Sequence, residues 1–158
     1  MTTNEQEVRF PNFKSFVCPD DYVTTTHKGV EYRATIRHDN QSEIDDDDSH
    51  NPDQSVTGCN DEQFQRLMIA RKAWFKDEWW YGWIQVTAFL NGYRLKSWDC
   101  LSRIEVNYPD SINDYLSEVA TDLLTGLIVQ VNDEIDDMRE MLEKRTTTHN
   151  TEGVGHDN

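Results

Sequence analysis

Between positions 112 and 142 the apolar residues step by three and four without a break: Ile112, Tyr115, Leu116, Val119, Ala120, Leu123, Leu124, Leu127, Ile128, Val131, Ile135, Met138, Met141 and Leu142. That spacing winds one apolar stripe along an amphipathic α-helix of roughly 30 residues, on the order of 45 to 50 Å long if straight. Tyr108-Pro109-Asp110-Ser111 reads as the turn that precedes it, with Ser111 as N-cap and Asp114 three residues later. Gly126 marks a place for the helix to bend or split. Residues 146–158 read as a disordered tail.

The strongest short-range signal upstream is a hairpin. Residues 79–90 are rich in aromatic and β-branched side chains, Asn91-Gly92 follows, and 93–106 returns. Asn-Gly is the pair that best tolerates positive φ at both turn positions. Residues 29–37 alternate cleanly, with Val30, Tyr32, Ala34 and Ile36 on one side and Glu31, Arg33, Thr35 and Arg37 on the other. A period of two is a half-buried strand, free to join the hairpin edge. A helix over about 61–76 is capped by Asn60 or Asp61, with Phe64, Leu67, Met68, Arg71, Trp74 and Phe75 at helical intervals. Residues 1–28 read as an irregular lead-in, pinned by Phe10, Phe13, Phe16 and Val17, and 38–60 as a long acidic loop. The expected fold is α+β: a single domain over 29–145, with an antiparallel sheet of about three strands packed against two helices. Helices on one face of the sheet are the simplest arrangement.

Charge narrows the function. The chain has 158 residues, with 30 acidic against 15 basic side chains, a net of −15. Such a balance argues against direct contact with nucleic acid or an anionic membrane, because Lys and Arg supply most of that affinity. The acidity is also segregated. Nine acids fall between Arg37 and Arg66 and nine more between Arg103 and Arg139, so everything else nets +3. Segregated charge shapes a field that attracts a basic partner.

Two clusters stand out within those segments. Asp110, Asp114, Glu118 and Asp122 recur every four residues, a stripe of carboxylates about 6 Å apart on a helix, with no base at i±4. The bland reading of such a stripe is a solvated face. Asp45, Asp46, Asp47 and Asp48 crowd the loop, but from Asp45 the sixth residue is His50 and the twelfth Val56, so the EF-hand pattern fails. Beside the acids lies an aromatic cluster. Alternation sets Trp79, Tyr81, Trp83 and Phe89 on one face and Trp80, Ile84, Val86 and Leu90 on the other. One face meets the helices; the other is either covered by the N-terminal segment or offers a binding surface to a partner.

Catalytic signatures are missing: the sequence has no GxSxG, P-loop, GxGxxG or HExxH. No cofactor or metal is expected, and an enzyme is not. Three scattered cysteines, Cys18, Cys59 and Cys100, form neither a disulfide framework nor a zinc spacing. With no secretory signal and no apolar run long enough to span a bilayer, the expected setting is a cytoplasm.

The blocks Tyr32-Arg33-Ala34-Thr35-Ile36, Lys76-Asp77-Glu78-Trp79-Trp80-Tyr81-Gly82-Trp83-Ile84 and Ile104-Glu105-Val106-Asn107-Tyr108-Pro109, with Tyr115-Leu116-Ser117-Glu118-Val119-Ala120, resemble small acidic proteins of phages and mobile elements. In size and acidity the chain is similar to DNA-mimic anti-defence proteins, the antirestriction and anti-CRISPR inhibitors. The resemblance implies a phage-type setting, and the two base-free acidic segments beside a Trp-rich hairpin lead us to expect an inhibitor in a host cytoplasm that docks on a basic nucleic-acid-binding protein. Its contacts would come from Asp45–Asp48, from Asp110, Asp114, Glu118 and Asp122, and from Trp79, Tyr81 and Trp83. The alternative is a non-catalytic scaffold, dimerising through Leu123, Leu127, Ile128 and Val131, with acids serving solubility. Surface acids also suit a high-salt cytoplasm.

Overall fold

The computed structural model describes residues 7–44, 60–111 and 113–151. Its elements are β1 (Tyr22–His27), β2 (Val30–His38), α1 (Asp61–Trp74), β3 (Trp80–Leu90), β4 (Tyr93–Val106) and α2 (Asp114–Thr151). The strands form one antiparallel sheet in the order β1-β2-β3-β4. The class is α+β, with four strands instead of about three. Among the described residues no helix is long and apolar enough to cross a membrane.

The added strand is β1, in what reads from sequence as an irregular lead-in. It pairs with β2 from Tyr22↔Thr35 to His27↔Val30. Lys28 and Gly29 turn the chain with φ of 49° and 80°, nearly matching the 50° and 82° of Asn91 and Gly92. Both are two-residue turns whose left-handed backbone suits the twist of a hairpin. The first is harder to see because Lys replaces Asn, and because a strand of Val23, Thr24, Thr25 and Thr26 carries no apolar alternation.

One face of the sheet makes the main core. Tyr32, Ala34 and Ile36 of β2, Ile84, Val86 and Ala88 of β3, and Ile104 and Val106 of β4 pack against Leu116, Ala120, Leu124, Leu127 and Val131 of α2. All five helix residues are fully buried, so the stripe proposed for dimerisation lies in the protein's own core, with Leu123 and Ile128 packed at its margin. The helix runs unbroken through Gly126 and continues to Thr151, so residues 146–151 are helical and not a tail. Its start is later than Ser111: the helix begins at Asp114.

The N-terminal segment joins this same core through Phe10, Phe13 and Val17, whereas Phe16 stays 61% exposed. Having no ladder of its own, the segment satisfies its backbone on side chains. Phe10 N–H donates to Thr121 Oγ1 (3.2 Å) and Phe13 N–H to Ser117 Oγ (3.2 Å), while that hydroxyl donates to the Pro11 carbonyl (3.0 Å). Asn107 brackets Val17 from both sides, accepting from its N–H (2.9 Å) and donating to its carbonyl (2.8 Å). Buried Asn113 donates to Ser15 O (3.0 Å) and Asn107 Oδ1 (2.8 Å), tying this latch to the start of α2.

The second helix lies on the other face, not beside α2. Successive strand residues point to opposite faces, so Tyr81 opposes Trp80. A small separate core gathers there from Ile44, Ala73, Trp79 and Tyr81, edged by Trp74 and Tyr108. Ile44 is the one part of the acidic loop described as buried, at 2% exposure. Helix α1 starts as expected, with Asn60 and Gln63 forming a reciprocal capping box. It buries Ala70 and Ala73, whereas Met68 and Phe75 of the expected face are 43% and 69% exposed.

Gly82 sits where both layers close on the sheet. A Cβ there would lie 2.9 Å from the Arg37 carbonyl oxygen, 2.9 Å from the Trp80 ring and 3.0 Å from Val106 Cγ2. Gly82→Ala is therefore expected to lower stability by about 1–3 kcal/mol. Urea unfolding checks this: the midpoint falls with the slope unchanged, and an unmoved midpoint contradicts the packing described.

Candidate interaction surface

Burial of one side of α2 decides what the other side presents. With Leu116, Ala120 and Leu124 fully buried, Asp114, Glu118 and Asp122 are turned outward and exposed. One helical turn separates each from the next, about 6 Å along the axis. The first Lys or Arg after Arg103 is Arg139, so no base on the helix relieves this part of the row.

The three carboxylates line an open cleft of about 440 Å³ between α2 and the N-terminal segment, together with Glu7, Arg9 and Asn12. Asn12 Nδ2 donates to Asp114 Oδ1 (3.3 Å), and Arg9 pairs with Glu7 (2.9 Å). Farther along, the helix neutralises itself: Arg139 pairs with Asp136 (2.9 Å) and Lys144 with Glu140 (2.6 Å). The uncompensated acidity therefore belongs to the first turns of α2.

Asp110 does not belong to that row. It precedes the helix in a left-handed conformation, with φ of 60°, beside Arg66, Ile69, Tyr108, Pro109 and Ser111. The four-residue repeat is real in the sequence, but the helix starts too late to place its first member. Asp45, Asp46, Asp47 and Asp48 lie outside the described residues.

The aromatic half of the expected surface divides. Trp79 and Tyr81 are each 1% exposed, covered by α1 and Ile44 and not by the N-terminal segment. Trp79 donates from Nε1 to the Ala70 carbonyl (2.8 Å), and its ring meets Trp74, Tyr81 and Tyr108 with centroids 4.9 to 5.2 Å away. Neither residue can touch a partner while α1 is docked. Trp83, half-buried, borders an open cleft of about 610 Å³ with His38, Asp39, Asn40, Gln41, Ser42, Ser102 and Arg103. Burial opposes ionisation of Asp39, but hydrogen bonds from Gln41, Ser42 and Arg103 outweigh it and hold the carboxyl below the usual range.

Beyond α1, the outer sheet face carries Arg33 and Arg37 of β2, with Thr35 and Thr87 buried between them. The Arg33 guanidinium lies 4.7 Å from the ring centroids of both Tyr22 and Phe89 and pairs with Glu31 (3.1 Å). Arg37 pairs with Asp20. The four strands hold five basic residues against three acidic ones, whereas α2 holds nine acids against three bases. Charge segregated along the sequence is thus also divided between sheet and helix. The alternation of β2 already placed Arg33 and Arg37 together; the clamping by Tyr22 was hidden because β1 was not recognised.

Among the described residues, no group of three or more His, Cys, Asp or Glu side chains is placed to hold a metal ion. No protein-family model matches the chain, and neither a curated protein nor a solved structure is detectably similar to it.

Glu134 is the acid of α2 already committed within the fold. Its carboxylate accepts from the N–H groups of Lys96 (2.8 Å) and Ser97 (2.9 Å) and from the Ser97 hydroxyl (2.7 Å). Burial raises its pKa, but these bonds and the Lys96 charge bring the net value below the ordinary one. A carboxyl lowered in the native state stabilises above its unfolded pKa, about 4.3, and that contribution is lost as pH falls through the native value. Glu134→Gln should thus cost about 1 kcal/mol at neutral pH. In urea titrations the gap from the parent should close progressively below about pH 4; a gap independent of pH would deny the carboxylate this role.

Proposed function

We propose that this protein is a non-catalytic acidic inhibitor whose α2 carboxylates occupy a basic, nucleic-acid-binding surface on another protein, in place of a phosphate backbone. The finer setting, a phage-type factor directed at a host defence or DNA-processing complex, belongs to the same proposal and draws on the sequence resemblance. The observation that carries the reading is the row Asp114, Glu118 and Asp122, exposed at one-turn spacing on a helix whose opposite side is fully buried.

Rigidity matters here as much as charge. Carboxylates on a helix held by the core lose little freedom on binding, which is where flexible acidic tails lose affinity. Opposite charges steer the encounter and set the register. The site excludes Trp79 and Tyr81, which are interior, and Asp110, which lies apart; Glu7 and Asn12 extend it across the N-terminal segment. A basic groove also disfavours the outer sheet face, where Arg33 and Arg37 project.

The test uses the full chain immobilised in a host lysate at about 50 mM and about 500 mM salt, since exposed charges are screened over about 8 to 10 Å near physiological strength. A nucleic-acid-binding subunit should be captured at the lower salt, released by the higher, and displaced by duplex DNA or RNA. Asp114→Asn, Glu118→Gln and Asp122→Asn combined should abolish capture while leaving thermal unfolding within a few degrees of the parent, because exposed helix pairs contribute only tenths of a kcal/mol. A partner held equally at both salt concentrations, or indifferent to the triple substitution, overturns the proposal.

A further inference from the structure

The sheet has two edges, β1 and β4, and they are treated differently. The pairing of β4 shifts register twice, between Gly82 and Ile84 and between Thr87 and Phe89, and Arg103 takes a left-handed φ of 57°. Glu134 also occupies the N–H groups of Lys96 and Ser97. Bulges and an inserted carboxylate are how sheets prevent further strands from adding.

Within its six residues β1 has none of these devices. It pairs regularly with β2 at all six positions, contains no Pro, Asp, Glu, Lys or Arg, and buries none of its residues. Among the described residues, only β2 makes backbone hydrogen bonds with it. A regular, uncharged edge of β-branched residues is a template for another strand. Its distal position helps, because α2 packs chiefly over β3 and β4.

We infer that β1 pairs antiparallel with β1 of a second copy about a two-fold axis, joining two sheets into one of eight strands. In an antiparallel pair, facing residues share a sheet face, so the axis must pass where a residue meets its own copy. With the axis at Thr24, residues 22–26 of each copy face one another. Val23 then faces the partner's Thr25, and Tyr22 faces the partner's Thr26. Just beyond the strand, Asp21 meets the partner's His27. Asp20 is taken up by Arg37, but Asp21 before the strand and His27 at its end are brought together by antiparallel pairing and not by parallel pairing. Threonine pairs and Tyr–Thr contacts are favourable across strands.

Five paired strand residues per copy fall short of the roughly 1,200–2,000 Å² of a standard interface, so a dimer of micromolar affinity is expected. Each copy carries −15, and salt relieves that repulsion. Self-association should therefore strengthen with salt, opposite to the response expected of the acidic α2 surface, so the two proposals fail independently.

Sedimentation equilibrium of the full chain over about 1–200 µM, a range centred on micromolar affinity, should show monomer and dimer in exchange, with more dimer at high salt. Thr24→Asp sets two like charges on the axis at an exposed position, and should weaken association about tenfold or more with the monomer still folded by circular dichroism. In a background with Cys18, Cys59 and Cys100 changed to Ser, Thr24→Cys should oxidise to a disulfide-linked dimer. Thr26→Cys, facing the partner's Tyr22, should not. A chain that stays monomeric throughout, or a dimer indifferent to Thr24→Asp, overturns the inference.

Discussion

Burial of Leu116, Ala120, Leu124, Leu127 and Val131 against β2, β3 and β4 fixes the helix, and most of the molecule follows from it. Each of the four leucine and valine side chains contributes about 1.5–3 kcal/mol when fully buried, far more than any exposed ion pair on the same helix. Because the contacts recur along five positions of α2, they fix its rotation as well as its attachment. Rotation then decides which carboxylates are presented. It also turns Ser117 and Thr121 toward the N-terminal segment, whose Phe10 and Phe13 backbones they satisfy. One apolar stripe therefore specifies a core, a latch and a charged face.

The acids outside that stripe stay because their cost is small. Carboxylates four residues apart on an exposed helix repel by a few tenths of a kcal/mol, and Asp114 recovers part of that from the positive end of the helix dipole. Glu134 differs because β4 uses it. Its two backbone acceptor bonds hold a bulged strand against α2 and close an edge. Two acids on one helix thus do unlike work, and exposure alone would not separate them; hydrogen-bond partners do.

Patterns that were local and periodic were legible in the sequence. The three-and-four spacing of α2, the alternation of β2, the Asn91-Gly92 turn and the Asn60 cap each express one geometry in a few neighbouring residues. What escaped depended on more distant partners. Threonine-rich β1 carries no amphipathic signal, and Lys28-Gly29 makes the same turn as Asn91-Gly92 with a less telling residue. Trp79 and Tyr81 alternate like exposed aromatics, and only the docking of α1 and Ile44 makes them interior. Asp110 follows the repeat of Asp114, Glu118 and Asp122, but the helix starts at Asp114, next to Asn113, which is held by Ser15 and Asn107. No spacing within 110–122 reports a contact made 98 residues away.

The same limit explains why net charge was an incomplete guide. A total of −15 describes the field at a distance, where the molecule looks uniformly acidic. Near the surface, the sign depends on which element is approached. The sheet carries more bases than acids, and its two described face arginines are held by Glu31 and Asp20; the opening turns of α2 have no such compensation. Screening over about 8 Å at physiological salt makes this near field the one that a docking partner feels. A basic partner and a second copy would therefore meet different parts of the molecule. The first would meet a rigid row of carboxylates on α2, the second a strand with no Asp, Glu, Lys or Arg. Separation of these surfaces by the width of the sheet allows one fold to hold both without either neutralising the other.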